Sequence, residues 1–322
     1  MDGLIAIGID IGGTKIAVAT VAAAGCILGR STMPTQAERG FDDGLRRIVA
    51  LLDRLMAETG CSRRALAAIG IGCAGPVDPI RGTIDNPYTL PTWDGVNIVE
   101  PLQAEYGVRV VLENDADAAA MGEVWLGAGQ GGRVVVMITI GTGIGGGIII
   151  DGQVYRGIEG THPEIGHHSI DPTGPACYCG MRGCWESLAS GPALVAAVSE
   201  RAPGRPSGPL TGAGVIAEAR AGDPIAQAAV TRAAEATAMA LFNLTNLYAP
   251  DVIVLGGGVM EAYDLFEPVI RQTLSRNTMA PVDRIAVRRA ELGSDAGVVG
   301  AACLALDHAQ LPAVRRAPLP PR

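Results

Sequence analysis

The chain has 322 residues, of which 48% are hydrophobic, 4% aromatic and 18% charged. At roughly 150 residues per domain, this length predicts about two domains, and the apolar content excludes intrinsic disorder and a disulfide-held miniprotein. The 25 Lys and Arg against 33 Asp and Glu give a net charge of −8, which is the wrong sign for a protein that binds a phosphate backbone. We therefore expect no nucleic-acid partner.

The sequence carries no signal for a membrane or for secretion. No apolar stretch approaches the roughly 20 residues that span a bilayer, and the N-terminus lacks the basic flank and hydrophobic region of a signal peptide. Seven cysteines is an odd count, and three of them crowd into residues 177–184 instead of spacing like a disulfide framework. We expect a cytoplasmic protein with no membrane partner.

Strands and helices alternate along the first part of the chain. Residues 4–9, 16–21 and 25–30 are apolar segments joined by glycine-containing turns, which predicts an antiparallel meander. Residues 40–59 follow as an amphipathic helix and residues 67–72 as another strand. This alternation is typical of α/β architecture.

Polar residues follow the next strand, residues 108–112, at its carboxyl end. The strand runs into Glu113, Asn114 and Asp115 and then into an Ala-rich helix over 116–125. Open α/β sheets usually bind ligands at this edge, which makes Asp115 a candidate general base. A helix N-cap role, shared with Asn114, explains Asp115 equally well from the local sequence.

Two glycine turns suggest that the halves of the chain are related. Residues 9–14 and 138–143 are both apolar strands that enter a Gly/Thr turn, and a second apolar strand follows each. The glycine-rich residues 127–133 precede the second half and suggest a hinge there. The similarity is short, but it predicts duplicated domains with a glycine hairpin in each.

The glycine turns favour phosphate binding over a dinucleotide fold. Residues 141–146 match G-x-G-x-x-G, but a β-branched run follows where that fingerprint requires a helix, and Lys15 completes no Walker A loop. Glycines let backbone N–H groups approach an anion closely, and Thr hydroxyls add donors. Plain tight hairpins are the alternative reading.

Two further features are consistent with a nucleotide site. Asp10, beside the first turn, could hold Mg²⁺ through water or could simply serve its own turn. A third glycine turn at 256–258 follows an apolar strand and suits the wall of an adenine or ribose site.

The strongest local signal is a cluster of cysteines and histidines. Zinc takes four tetrahedral ligands, and three Cys with one His form a common closed structural site, with buried free cysteines as the alternative. Glu164 and Glu186 flank the cluster and suit recognition of a hydroxylated ligand, although surface carboxylates would look the same. The cluster comprises Cys177, Cys179, Cys184, His162, His167 and His168.

Taken together, five segments resemble the ROK family, which comprises repressors, open reading frames and sugar kinases. They occur in family order and span the chain from about residue 4 to about residue 305. The segments are DIGGTK at 10–15, ENDADA at 113–118, GTGIGGG at 141–147, EIGH at 164–167 and CYCGMRGCWE at 177–186.

The resemblance implies an α/β protein with an actin-like, ribonuclease-H-like ATPase fold and two α/β domains around a catalytic cleft. The N-terminal domain would cover residues 1–117, and the larger C-terminal domain, with the zinc loop, residues 118–296. A helix at about 297–309 would return to the N-terminal domain. We expect residues 310–322 to be a disordered tail.

The resemblance also implies roles for individual residues. The residues that would face the phosphates of ATP and Mg²⁺ are Asp10, Gly12, Gly13, Thr14, Lys15, Thr142 and Gly143, and those that would line the adenosine site are Gly257 and Gly258. The sugar contacts would be Gly75, Asn114, Asp115, Glu164, His167 and Glu186, with Asp115 as the base. The ligands of a structural Zn²⁺ would be His167, Cys177, Cys179 and Cys184.

The implied activity is ATP-dependent phosphorylation of a hexose, with glucose as the leading acceptor at its 6-hydroxyl. N-acetylmannosamine, N-acetylglucosamine and fructose are the alternatives, and a non-catalytic sugar sensor is less favoured. Residues 86–93 look like the sugar-proximal loop of the glucose-phosphorylating members, except that Thr89 stands where those commonly have Asn. Because the first motif begins at Asp10, we expect no helix-turn-helix ahead of it. The family suggests a homodimer or a dimer of dimers.

Overall fold

The computed structural model describes residues 4–202 and 210–308, and the predicted tail at 310–322 lies outside them. The strands are β1 Ile5–Ile11, β2 Lys15–Ala22, β3 Ile27–Pro34, β4 Leu66–Cys73, β5 Val77–Asp78, β6 Thr83–Ile84, β7 Val96–Asn97, β8 Arg109–Asn114, β9 Val134–Ile140, β10 Ile144–Ile150, β11 Gln153–Val154, β12 Val252–Gly256 and β13 Ala286–Arg289. The α-helices are α1 Phe41–Thr59, α2 Val99–Tyr106, α3 Asp115–Leu126, α4 Trp185–Ala189, α5 Gly191–Arg201, α6 Gly212–Arg220, α7 Pro224–Tyr248, α8 Tyr263–Leu274 and α9 Ala296–His308. The predicted alternation of strands and helices is confirmed.

The chain divides into two compact units. The first contains the described residues up to 133, residues 147–163 and the described residues from 291 onward, and the second contains 134–146 and 164–290 without its undescribed loop. These limits differ from the boundaries at 117 and 296 that we expected from the sequence. The physical reason is that α3 packs against α9 and the β4–β8 edge of the first sheet, so the whole of α3 stays with the first unit.

The first unit is built on a five-stranded sheet with the strand order β3-β2-β1-β4-β8. The strands β1, β2 and β3 pair antiparallel, so the predicted meander is confirmed, whereas β4 and β8 run parallel to β1. The third strand begins at Ile27 and extends to Pro34, which is later than the expected 25–30. The short strands β5, β6 and β7 form a small antiparallel sheet.

A second five-stranded sheet repeats this order. Its strands run β11-β10-β9-β12-β13, so that a meander-forming edge is again followed by two crossover strands. The strands β12 and β9 are parallel, and so are β12 and β13. The shared order supports the duplication that the two glycine turns suggested.

Helix α9 lies directly on the first sheet. It packs against β1, β4 and α3, and Val298, Ala302 and Leu306 join a small buried cluster with alanines of β1 and β2. The backbones approach so closely that a Cβ added at Gly300 would stand 1.6 Å from the carbonyl oxygen of Ala118 in α3. The position therefore requires a residue without a side chain.

The opposite face of the same sheet holds the larger core. Amphipathic α1 buries Ile48, Leu52 and Leu55 there, and Trp93 is fully buried beside them. In the second unit the long helix α7 packs against α4, α5, α6 and α8. Within residues 4–202 and 210–308, no helix combines the length and the apolar character needed to cross a membrane.

Candidate active site

The register of the parallel strands aligns the candidate residues of the first unit at one sheet edge. Asp10 in β1 pairs with Gly72 in β4, which in turn pairs with Glu113 in β8, so Asn114 lies one residue further toward the carboxyl end. This is the edge at which open α/β sheets bind ligands. The structure thus brings Asp10, Asn114 and Asp115 to the same edge of the first sheet.

Asn114, and not Asp115, caps helix α3. Its side-chain oxygen accepts the N–H groups of Ala116 at 2.9 Å and Asp117 at 3.4 Å, and its backbone is extended as an N-cap requires. Asp115 is the first residue of the helix, and its Oδ1 accepts the amide of Ala116 at 2.8 Å. The capping role is therefore filled by its neighbour, which leaves Asp115 available for a chemical one.

Burial makes Asp10 and Asp115 unusually basic carboxylates. Burial, the charge of Asp115 and, in opposition, the charge of Lys15 set the pKa of Asp10 at about 6. Burial likewise raises the pKa of Asp115 above its ordinary value, although the amide of Ala116 opposes this. Two carboxylates of this kind near each other favour the arrival of a cation or a proton.

The first glycine turn is held open by a buried threonine. Gly12 donates its N–H to the carbonyl of Lys15 at 2.9 Å, which closes the turn between β1 and β2. Thr35 is fully buried and donates its hydroxyl to the carbonyl of Gly12 at 2.6 Å, and its amide bonds the carbonyl of Thr14 at 3.0 Å. Gly13, Thr14 and Lys15 are left exposed at the tip. No motif or spacing in the sequence indicated the part that Thr35 plays.

The second glycine turn is tied to Glu186. The N–H of Gly141 bonds the carbonyl of Gly143 at 2.8 Å, and Thr142 is exposed at the tip. Oε2 of Glu186 accepts the amide of Ile144 at 2.8 Å, directly after the turn. Glu186, at the start of α4, is itself a candidate sugar contact. Its hydrogen bond therefore connects that contact with a candidate phosphate turn of the second unit.

The third glycine turn follows β12 as expected, but a 3-10 helix over Gly258–Ala262 comes before α8. Gly257 has a φ of 88°, and a Cβ there would lie 2.4 Å from the carbonyl oxygen of Ile140. Gly257 and Gly258 are both exposed. The turn presents bare backbone to solvent, which is what close approach of a flat ligand requires.

Four side chains converge on a candidate metal centre in the second unit. Their ligand atoms all lie within 4.8 Å of one another, with Cys177 Sγ 3.4 Å from Nδ1 of His167 and Cys179 Sγ 3.5 Å from Cys184 Sγ. Ligand atoms around a tetrahedral zinc ion with Zn–S near 2.3 Å are about 3.5–3.8 Å apart. The set of three thiols and one imidazole therefore fits a closed structural zinc site in its chemistry, and the two individual distances are close to that spacing.

The other two histidines near the cysteines do not join them. Nδ1 of His168 bonds the carbonyl of Ile165 at 2.6 Å, and Nδ1 of His162 lies 2.7 Å from the carboxylate of Asp117 in the first unit. His167 directs its second nitrogen, Nε2, to the hydroxyl of Tyr178 at 2.9 Å and toward Glu186 at 4.0 Å. Glu164 is exposed and directly precedes the 3-10 helix Ile165–His167.

Asn86 organises the loop next to Gly75. Its side chain is fully buried, donates to the carbonyl of Ala74 at 2.9 Å and to the hydroxyl of Thr89 at 2.6 Å, and accepts the amide of Thr89 at 3.0 Å. A Cβ at Gly75 would stand 2.6 Å from Nδ2 of Asn114. Gly75 therefore leaves room for the Asn114 side chain. Thr89 is exposed.

Comparison with known proteins identifies relatives along almost the entire chain. The ROK family matches residues 6–308. A glucokinase of Streptomyces coelicolor is 38% identical over 93% of this chain and 96% of its own length.

Solved structures agree with this assignment. A ROK hexokinase from Thermus thermophilus superposes with a TM-score of 0.83 at 35% identity, covering 95% of this chain and 99% of that one. A ROK family glucokinase from Streptomyces griseus in complex with glucose and AMPPNP gives a TM-score of 0.77 at 36% identity, covering 94% and 99%. The expected actin-like ATPase fold is confirmed, and the chain belongs to the ROK family.

Proposed function

We propose that this protein is a glucokinase that transfers the γ-phosphate of ATP to the 6-hydroxyl of glucose, with Asp115 as the general base. The observation that carries the proposal is the alignment of Asp10 and Asp115 at the carboxyl end of the parallel strands of the first sheet. The glucokinases and the hexokinase among its relatives support the same activity.

Phosphoryl transfer needs positioning and charge neutralisation more than covalent help. In the proposed mechanism the basic carboxylate of Asp115 accepts the proton of the attacking hydroxyl, while Asn114 holds a neighbouring hydroxyl. A carboxylate whose pKa is raised by burial is a stronger base than an exposed one, and this favours proton transfer near neutral pH.

The donor phosphates would be held by backbone N–H groups of the two glycine turns. Gly12, Gly13 and Thr14, with the ammonium of Lys15, serve the first turn, and Thr142 and Gly143 serve the second. Asp10 would hold Mg²⁺ through water, and the ion would neutralise phosphate charge. Gly257 and Gly258 would lie against the adenosine.

The remaining sugar contacts are proposed to come from residues around the zinc site. Glu164, His167 and Glu186 carry the acceptors and donors, and Gly75 leaves space for Asn114. Zinc would bind Nδ1 of His167 and leave Nε2 for a sugar hydroxyl. In the structure, Nε2 is hydrogen-bonded to the hydroxyl of Tyr178. The metal would then fix the imidazole ring of His167 and would take no part in phosphoryl transfer.

An N-acetylhexosamine or fructose is the alternative acceptor. The observation in favour is Thr89, whose hydroxyl is engaged by Asn86 and which replaces an amide common in the glucose-phosphorylating members. Sugars that differ by one hydroxyl or acetamido group are separated by the placement of such side chains.

The test is a coupled ADP-release assay with ATP and Mg²⁺ against glucose, N-acetylmannosamine, N-acetylglucosamine and fructose, with kcat/KM measured for each. We expect glucose to lead by at least about tenfold. A leading N-acetylhexosamine would reassign the acceptor, and no turnover on any sugar would favour a sugar sensor. We also propose a homodimer or dimer of dimers, which light scattering of the purified protein tests.

A further inference from the structure

A histidine that the proposed mechanism does not use is paired with a carboxylate beside the proposed base. Nδ1 of His162 lies 2.7 Å from Oδ2 of Asp117, and the side chains are 15% and 1% exposed. A contact this short between an imidazole and a buried carboxylate is a charge-assisted hydrogen bond. Both residues belong to the first unit.

The pair acts at the first turn of α3, two residues after Asp115. The backbone amide of Asp117 is bonded by the N-cap Asn114 at 3.4 Å. Among the described residues, Oδ1 of Asp117 has no hydrogen-bond partner, and Gly147 lies so near that a Cβ there would be 2.9 Å from this oxygen. The bond to His162 is therefore what orients the Asp117 side chain.

Titratable groups face Asp115 from four elements. Asp10 faces it from β1, Asp117 from its own helix and His162 from the segment after the Ile158–Gly160 turn, and the buried thiol of Cys73 lies at the end of β4. After burial and the Ala116 amide, the positive charge of His162 lowers the pKa of Asp115, and the negative charge of Asp117 raises it. The two members of the pair thus act on Asp115 in opposite directions.

We infer that Asp117 and His162 form a positioning pair that fixes the first turn of α3 and balances the charge around Asp115. The inference rests on the proposed function, in which Asp115 is the base. Neither residue is placed against the reacting atoms, so both act through Asp115. An uncompensated carboxylate at 117 would make Asp115 harder to ionise, and the positive charge of a protonated His162 opposes this.

The first test is the pH profile of kcat/KM for the hexose that the wild-type enzyme prefers. In His162→Gln, which keeps a hydrogen-bond donor but loses the charge, we expect the acid limb to move upward by about 0.5–1 pH unit. In the double variant with Asp117→Asn the extra negative charge is gone too, so the acid limb should return toward the wild-type position.

The control is Glu159→Gln, which removes an exposed carboxylate from the same segment and should leave the profile in place. A structural role alone would lower kcat or stability in His162→Gln without moving the acid limb. An acid limb that stays within about 0.2 pH unit of wild type in that variant would overturn the inference.

A second readout separates this inference from the proposed function. Histidine side-chain NMR of the full chain, with the His162 signal assigned by its loss in His162→Gln, follows the ring without any turnover. We expect the pH midpoint of that signal to fall in Asp117→Asn and, by a smaller amount, in Asp115→Asn. If the protein phosphorylates no hexose, the proposed function fails, but the NMR test still applies. Unchanged pH midpoints of the His162 signal in both variants would refute the proposed pairing of Asp117 and His162.

Discussion

Glu123 accepts the backbone amide of Leu292 at 2.8 Å, although the two residues are 169 positions apart. The carboxylate is fully buried in α3 and also accepts the amides of Ala128 at 2.8 Å and Glu291 at 3.2 Å. These amides lie near two of the points at which the chain passes from one unit to the other, after Arg133 and before Glu291. One buried carboxylate therefore ties these two segments to α3.

Replacing this carboxylate by an amide should be costly. In Glu123→Gln one acceptor becomes a donor that faces backbone N–H groups, so we expect the free energy of unfolding to fall by about 2–4 kcal/mol. Urea unfolding followed by circular dichroism measures this, with the exposed Glu58→Gln as the control. A decrease in the free energy of unfolding of less than about 0.5 kcal/mol would show that the three hydrogen bonds of Glu123 do not stabilise the fold.

The close packing of α9 makes a second prediction. A methyl group at Gly300 would overlap backbone atoms of Ala118 and Gly122. Backbone atoms within a helix cannot rotate away as the end of a flexible side chain can. Gly300→Ala should therefore lower the free energy of unfolding by about 3 kcal/mol or more. Gly258→Ala is the matched control in the unliganded protein, because nothing lies within 4 Å of a Cβ there. Equal stability of the two variants would contradict the packing described.

The raised pKa of Asp10 gives the unliganded protein a pH-dependent stability. With a pKa of about 6 when folded against 3.8 when exposed, Asp10 keeps a proton in the folded state that the unfolded chain releases. Its contribution to the free energy of unfolding therefore falls as the pH rises from about 4 to about 6. Asp10 therefore does not stabilise the unliganded fold above about pH 6, which is consistent with its proposed role at a Mg²⁺ site.

Asp10→Asn should accordingly stabilise the unliganded protein while it weakens the proposed binding of Mg²⁺. At pH 7.5, without Mg²⁺ or ATP, we expect the free energy of unfolding to rise by about 1–3 kcal/mol, and at pH 4 to change little. Denaturant titrations at both pH values measure the difference, with the exposed Asp283→Asn as the control. The same gain at both pH values would refute a raised pKa.

The zinc proposal is tested by metal content. We expect about one zinc ion per chain by plasma mass spectrometry, and loss of the ion together with a lower melting temperature in Cys184→Ser. Because His167 is both a proposed ligand and a proposed sugar contact, KM for the hexose should rise more than kcat falls. The exposed Cys26→Ser is the control. Full zinc content in Cys184→Ser would remove that cysteine from the site.

Local patterns predicted most of the fold because they act within a few residues. The strand ending at Asn114 and the helix after it follow from a run of apolar residues and a polar N-cap, and the cysteine cluster lies within eight consecutive residues. The choice between Asn114 and Asp115 as the cap needed the backbone geometry, because both residue types can cap a helix.

Contacts between distant residues were beyond such patterns. The pair of Asp117 and His162 spans 45 residues, Thr35 reaches back to Gly12, and Glu123 bonds amides near the other end of the chain. No periodicity or spacing rule connects positions so far apart, which is also why the limits of the units differ from those expected. Where α3 belongs depends on its packing against α9.

The most direct test of the account is the turnover of Asp115→Ala with ATP, Mg²⁺ and glucose. We predict that kcat falls by about 10²–10⁴-fold, while circular dichroism and glucose-dependent thermal stabilisation show a folded protein that still binds sugar. The exposed Asp283→Ala should keep wild-type turnover. A kcat for Asp115→Ala within about threefold of wild type would contradict the account, because no general base would then reside at this position.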